Sequence, residues 1–118
     1  MKKEEMISNI IETELEKITY AYLLEIIRKK LITPRVEFRD WDYGEPNQNY
    51  PCWIVVEDEA TSSVIAYCEH GFSDSWGLIP LDPKSSMGMD SNWFISLEDA
   101  IRNSEFWDGD NPLSYEVN

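Results

Sequence analysis

The spacing of apolar residues changes period once, at Thr33-Pro34, and that change constrains the fold more than any other feature of the chain. Before it, Ile7, Ile10, Ile11, Leu15, Ile18 and Tyr22 recur at helical spacing, with Glu and Lys on the opposite face. From Tyr20 to Ile32 the apolar residues (Ala21, Leu23, Leu24, Ile26, Ile27, Leu31) spread around the axis, which predicts deeper burial for that half. One unbroken helix over residues 3–32 would run about 45 Å, longer than a domain of this size is wide. A bend or break is therefore expected between Lys17 and Tyr20. The helix should end at Thr33-Pro34, because a residue preceding proline is pushed out of the helical region.

After Pro34 the period is that of strands. Arg35 to Trp41 alternates polar and apolar residues, and Asp42 to Pro51 reads as a loop rich in Gly, Pro and Asn. Cys52–Val56 and Val64–Cys68 are β-rich runs flanking Glu57–Ser63, the pattern of a hairpin. A turn centred on Ala60 would set Trp53 opposite Tyr67 and Cys52 opposite Cys68. Trp76–Ile79 predicts another strand, stopped by Pro80 and Pro83, followed by a loop over 82–92 and an extended piece at Trp93–Ile95. Ser96 can cap a second helix to about Ser104, with Glu98 and Asp99 suited to its positive end. The expected fold is α+β: a long N-terminal helix, bent or broken, an antiparallel sheet of about three to five strands and a short C-terminal helix. The chain of 118 residues fits one domain over 1–118. Within it lie a helical segment (1–32), the sheet with the second helix (33–104) and an acidic, aromatic tail (105–118). With 42% apolar and 13% aromatic residues, it can bury a real core.

Charge narrows the possible partners. The chain has 23 acids against 10 bases, a formal charge of −13. Residues 1–32 balance six against six. Residues 33–118 hold 17 acids and only Arg35, Arg39, Lys84 and Arg102, so the whole excess falls there. Such a field repels nucleic acids and anionic membranes and attracts cationic surfaces. The N-terminus carries charges throughout without the apolar core of a secretory signal, no stretch is long enough to span a bilayer, and two cysteines do not make a disulfide framework. A cytoplasmic location is the expectation.

Chemistry-bearing constellations are sparse. Cys52, Cys68 and His70 would give three soft metal ligands without a fourth, so no metal or other cofactor is expected. His70 and Cys68 lack the turn that a nucleophile needs, and the paired carboxylates sit where solvent screens them. Asp108-x-Asp110 lacks the remaining ligands of a calcium loop, and neither Gly71-Phe72 nor Met87-Gly88-Met89 matches a phosphate-binding pattern. What stands out is acids mixed with aromatics in loops. Asp40, Asp42, Glu45, Glu57, Asp58, Glu59, Asp108 and Asp110 would steer a cationic partner. Trp41, Tyr43 and Trp107 would anchor it.

The segments Tyr50-Pro51-Cys52-Trp53, Ile65-Ala66-Tyr67, Gly71-Phe72, Trp76-Gly77-Leu78, Met87 to Phe94 and Ser96 to Ala100 together resemble small bacterial immunity proteins of polymorphic or contact-dependent inhibition toxin systems. The resemblance covers roughly residues 36–104. It implies a cytoplasmic, non-enzymatic protein that binds a toxin domain, often a basic nuclease, over its active site or an adjacent exosite. Two other expectations fit the residues less well: an acidic nucleic-acid mimic that inhibits DNA- or RNA-binding proteins, and a small enzyme centred on His70 and Cys68.

Overall fold

Helical and strand periods segregate into two layers. The computed structural model describes residues 3–40, 49–69, 74–82 and 92–109. Two helices, α1 (Lys3–Lys17) and α2 (Ala21–Lys30), precede strands β1 (Leu31–Asp40), β2 (Asn49–Asp58), β3 (Ser63–Tyr67), β4 (Trp76–Pro80) and β5 (Asn92–Phe94), and helix α3 (Leu97–Arg102) follows. The strands form one antiparallel sheet in the order β1-β2-β3-β4-β5, each pairing with its neighbour in sequence. This is an α+β architecture.

The N-terminal helix breaks where expected. Tyr20 is extended (φ −85°, ψ 109°) and starts α2 from outside the helix. Ile18, Thr19 and Tyr20 are β-branched or aromatic and weak helix formers. Turning at this point lets α1 bury Ile7, Ile11 and Leu15 while α2 buries Leu23 and Ile27 against the same sheet. The end of α2 comes earlier than Thr33-Pro34. Leu31 is already extended and pairs with Val56 in β1. Proline restricts only its immediate predecessor, so Leu31 and Ile32 were free to follow the stronger demand of sheet pairing. Likewise β2 starts at Asn49, within the span expected to be loop, and the turn between β2 and β3 tightens to Glu59–Ser62.

The predicted hairpin register holds at one end and slips at the other. Trp53 faces Tyr67 and Ile54 faces Ala66, but Val56 faces Ile65, because Val55 is an extra residue in β2. The bulge turns Val55 and Val56 both toward the helices. On that face Val36, Trp53, Tyr67, Trp76 and Phe94 are successive partners, a row crossing all five strands. Trp53, Trp76 and Phe94 from this row join Ile7, Leu15, Leu23, Ile27, Leu97 and Ile101 in the main core. Each such side chain stabilises the fold by about 1.5–3 kcal/mol when fully buried. Glu14 is buried among them because it is used twice: one oxygen accepts from the Leu97 amide at the start of α3 (2.9 Å), the other from Lys17 (2.9 Å).

The other face carries a second buried cluster of Cys52, Ile54, Val64, Ala66, Cys68 and Ile79. Trp93 lies against this side with its ring flat on Gly77, where a Cβ would come within 2.5 Å of the indole. Arg39 runs across it. Fully buried, it donates to the carbonyls of Pro80 (2.6 Å) and Leu81 (3.4 Å) and to Glu37 (2.7 Å). In a flat sheet β1 and β4 would stand about 14 Å apart, at about 4.8 Å per strand, farther than one arginine reaches. The sheet therefore curls toward this face, and Arg39 ties its edge across the curl.

Candidate functional site

Ion pairing decides which charges the molecule offers to a partner. Among the described residues every Lys and Arg except Arg28 is held by a carboxylate. Lys3 pairs with Glu69, Lys17 with Glu14, Lys29 with Glu25 (3.3 Å) and Lys30 with Asp58 (2.6 Å). Arg35 bridges Glu37 and Glu57 (3.1 Å each), Arg39 holds Glu37, and Arg102 holds Glu98 (2.9 Å). The helical segment, neutral by sequence count, is thus not neutral as a surface. Lys3 and Lys30 spend their charge on the sheet, and α1 turns Glu5, Glu12 and Glu16 outward at i, i+7 and i+11, exposed and on one stripe. Sequence reasoning assigned the acidic surface to residues 33–118 and missed this ridge. The helical spacing of those three glutamates was the available signal.

Those of the expected site residues that are described lie at three places in the chain: the end of β1, the β2–β3 hairpin and the segment after α3. Asp40 ends β1, its backbone paired with Asn49. Trp41, Asp42, Tyr43, Glu45 and Asp110 lie outside the described residues, as does His70. Glu59 is exposed at the β2–β3 turn, and Glu57 is half-buried beside Arg35.

Two assignments need correction. Asp58 is not a steering acid: it is buried and closes the hairpin, accepting from Lys30, from the Thr61 amide (3.0 Å) and from the Thr61 hydroxyl (2.6 Å). The Lys30 ammonium, with Thr61, holds its carboxyl below the ordinary aspartate value. Trp107 is not a free anchor: half-buried, it sits 5.9 Å from Tyr20 edge-on and 5.6 Å from Tyr22, with the Arg102 guanidinium 5.7 Å from its ring. Asp108 is exposed but accepts a 2.6 Å hydrogen bond from Tyr22, which raises that phenol's pKa. Trp107 and Asp108 fasten the chain after α3 to the α1–α2 corner.

Exposed apolar surface gathers elsewhere, along one flank of α1. A cavity of about 320 Å³ is lined by Lys3, Val36, Phe38, Pro51, Trp53 and Glu69. A second, of about 400 Å³, is lined by Ile10, Thr13, Lys17, Tyr67, Trp76 and Ile95 among others. The helix walls of both lie on one line, since Lys3, Ile10 and Lys17 stand at i, i+7 and i+14. Their floors adjoin, because Trp53 and Tyr67 are cross-strand partners. Phe38 is 59% exposed at one end and Ile95 77% at the other, with Met6 on the same flank 40% exposed. The two cavities lie side by side along this flank of α1.

Cys52 and Cys68 are free thiols, both buried. They are hydrogen-bonded to each other and packed in the second cluster with Ile54, Val64, Ala66 and Ile79. Among the described residues no cluster of His, Cys, Asp and Glu could hold a metal ion, and no helix is long and apolar enough to cross a membrane. Comparison of the chain with protein-family models, with curated proteins and with solved structures finds no match.

Proposed function

We propose that this chain is an immunity-type inhibitor that acts in the cytoplasm by binding a cationic toxin domain, such as a basic nuclease, and covering its active site or an adjacent exosite. One observation carries the proposal: among the described residues every cation but Arg28 is held in an ion pair, so the net charge of −13 is presented as carboxylates rather than as a mosaic of both signs. A protein that grips RNA or DNA must present cations, and a surface of this kind can occupy them. The resemblance to immunity proteins points the same way, and no step of this function needs a catalytic residue.

The experiment is co-expression with the toxin domain encoded beside this chain, read as rescue of growth and as a co-purifying complex. Association should slow steeply with added salt. Specific capture of one basic toxin from lysate supports the proposal. Capture of many DNA-binding proteins would favour a nucleic-acid mimic instead, and association indifferent to salt and to charge reversal at the exposed glutamates sinks the electrostatic basis of either.

A further inference from the structure

We infer that Cys52 and Cys68 are a site of reversible oxidation, at which hydrogen peroxide closes a disulfide between β2 and the end of β3 without rearranging the sheet. The strands supply the geometry. Trp53 and Tyr67 are cross-strand partners, and the next step along the ladder, away from the turn, sets Cys52 against Cys68. Residues opposed in this way have Cα atoms about 4.5 or 5.5 Å apart, inside the range of about 4.4–6.8 Å that a disulfide spans. Both side chains lie on the Arg39 side of the sheet, in one buried cluster, and the sulfurs already share a hydrogen bond. The chain has no other cysteine to compete for either thiol.

Burial selects a small oxidant. Cys52 is fully buried and Cys68 almost so, which keeps bulky disulfides out, whereas hydrogen peroxide is hardly larger than water. Cys68 lies just past the end of β3, beside the exposed Glu69, where local opening costs least. The attacking species is a thiolate; the Arg39 guanidinium favours that charge and Glu37 opposes it. One thiolate attacks a peroxide oxygen, the O–O bond breaks, and a sulfenic acid forms while the other oxygen leaves as water. The second thiol then attacks the oxidised sulfur, the S–S bond forms, and the hydroxyl leaves with its proton as a second water. Two thiols and one peroxide thus give one disulfide and two waters, with two electrons passing from sulfur to oxygen. An external dithiol restores both thiols by exchange. The bond would close the loop of residues 53–67 and hold β2 to β3 whenever this face opens.

The test uses the full, folded chain and hydrogen peroxide. Trypsin cuts after Arg39 and Lys84 and nowhere between, so residues 40–84 come off as one peptide that holds both cysteines and no methionine. After peroxide and blocking of the remaining thiols, that peptide should be lighter by two hydrogens and carry no blocking group. Dithiothreitol given before the block should restore two thiols. The oxidised chain should melt several degrees higher than the reduced one, as a cross-link that suits the native geometry does. Cys68→Ala should lose both the lighter peptide and the rise in melting temperature. A peptide that only gains oxygen, a disulfide between two chains, or an oxidised form that melts lower would show that the sheet does not accept the bond and would overturn the inference. So would thiols that survive in the folded chain under a peroxide treatment that oxidises the unfolded chain completely.

Discussion

At the scale of single residues, buried polar groups decide more than exposed ones. Asp58 accepts three hydrogen bonds at the hinge between helix and hairpin, one of them from an ammonium. Replacing it with Asn removes the charge that Lys30 was packed against and should destabilise the fold by about 1–3 kcal/mol. The pH dependence follows from the direction of its shift. Folding holds this carboxyl below its unfolded value, so its contribution is fully present above about pH 4, the unfolded aspartate value. It is lost as pH falls through the lower folded value. Denaturant melts of wild type and Asp58→Asn should therefore differ most near neutrality and converge in acid. A difference constant down to pH 2 would rule out the Lys30 pairing as its source. Ser62 makes the opposite kind of contribution. With φ at 56° it holds a left-handed conformation that closes the tight turn, at a steric cost to any residue with a side chain.

At the scale of elements, the helices and strands were largely legible because their periods differ and each has a local mark. Ser96 is the clearest case: its hydroxyl accepts from the Asp99 amide at 3.1 Å, the cap its position in the sequence suggested. Ser96→Ala should lower stability by about 1 kcal/mol, measured by denaturant unfolding. The effect should not be larger, because the buried Glu14 independently satisfies the Leu97 amide. What the sequence could not reveal was set by partners far along the chain. Val55 bulges because both valines are wanted by the helical core, which no local pattern records. The end of α2 yields to pairing with Val56. Asp58 looks like its neighbours Glu57 and Glu59 in sequence, yet only Asp58 meets Lys30, 28 residues away. The two cavities were hidden for the same reason: Phe38, Tyr67 and Ile95 are far apart in the chain and come to one flank of α1 only when the meander folds, whereas Trp41 and Trp107 drew notice because acids flank them.

At the scale of the whole molecule, two differently built faces share one sheet. The helix-bearing face combines the main core with two open cavities on one flank of α1 and the acidic ridge on the other. The opposite face is tied by Arg39, whose loss takes that donor from the Pro80 and Leu81 carbonyls and from one oxygen of Glu37, while Arg35 keeps the other. Arg39→Met should cost about 1–3 kcal/mol, read by thermal or chemical melting, since it takes a donor from buried acceptors while Glu37 stays paired with Arg35. Because Arg39 spans β1 to the end of β4, the loss should loosen the curl more than it disturbs the helices.

The paired cysteines under that curl give the molecule a chemical clock. Neither sulfur meets solvent while the sheet stays bent, so an alkylating reagent such as iodoacetamide can reach them only through transient openings. The modification rate, divided by that of an unstructured thiol, then reports the free energy of opening this side alone. Native protein should consume reagent slowly, and loosening the arginine tie should hasten the reaction by more than its change in global stability requires.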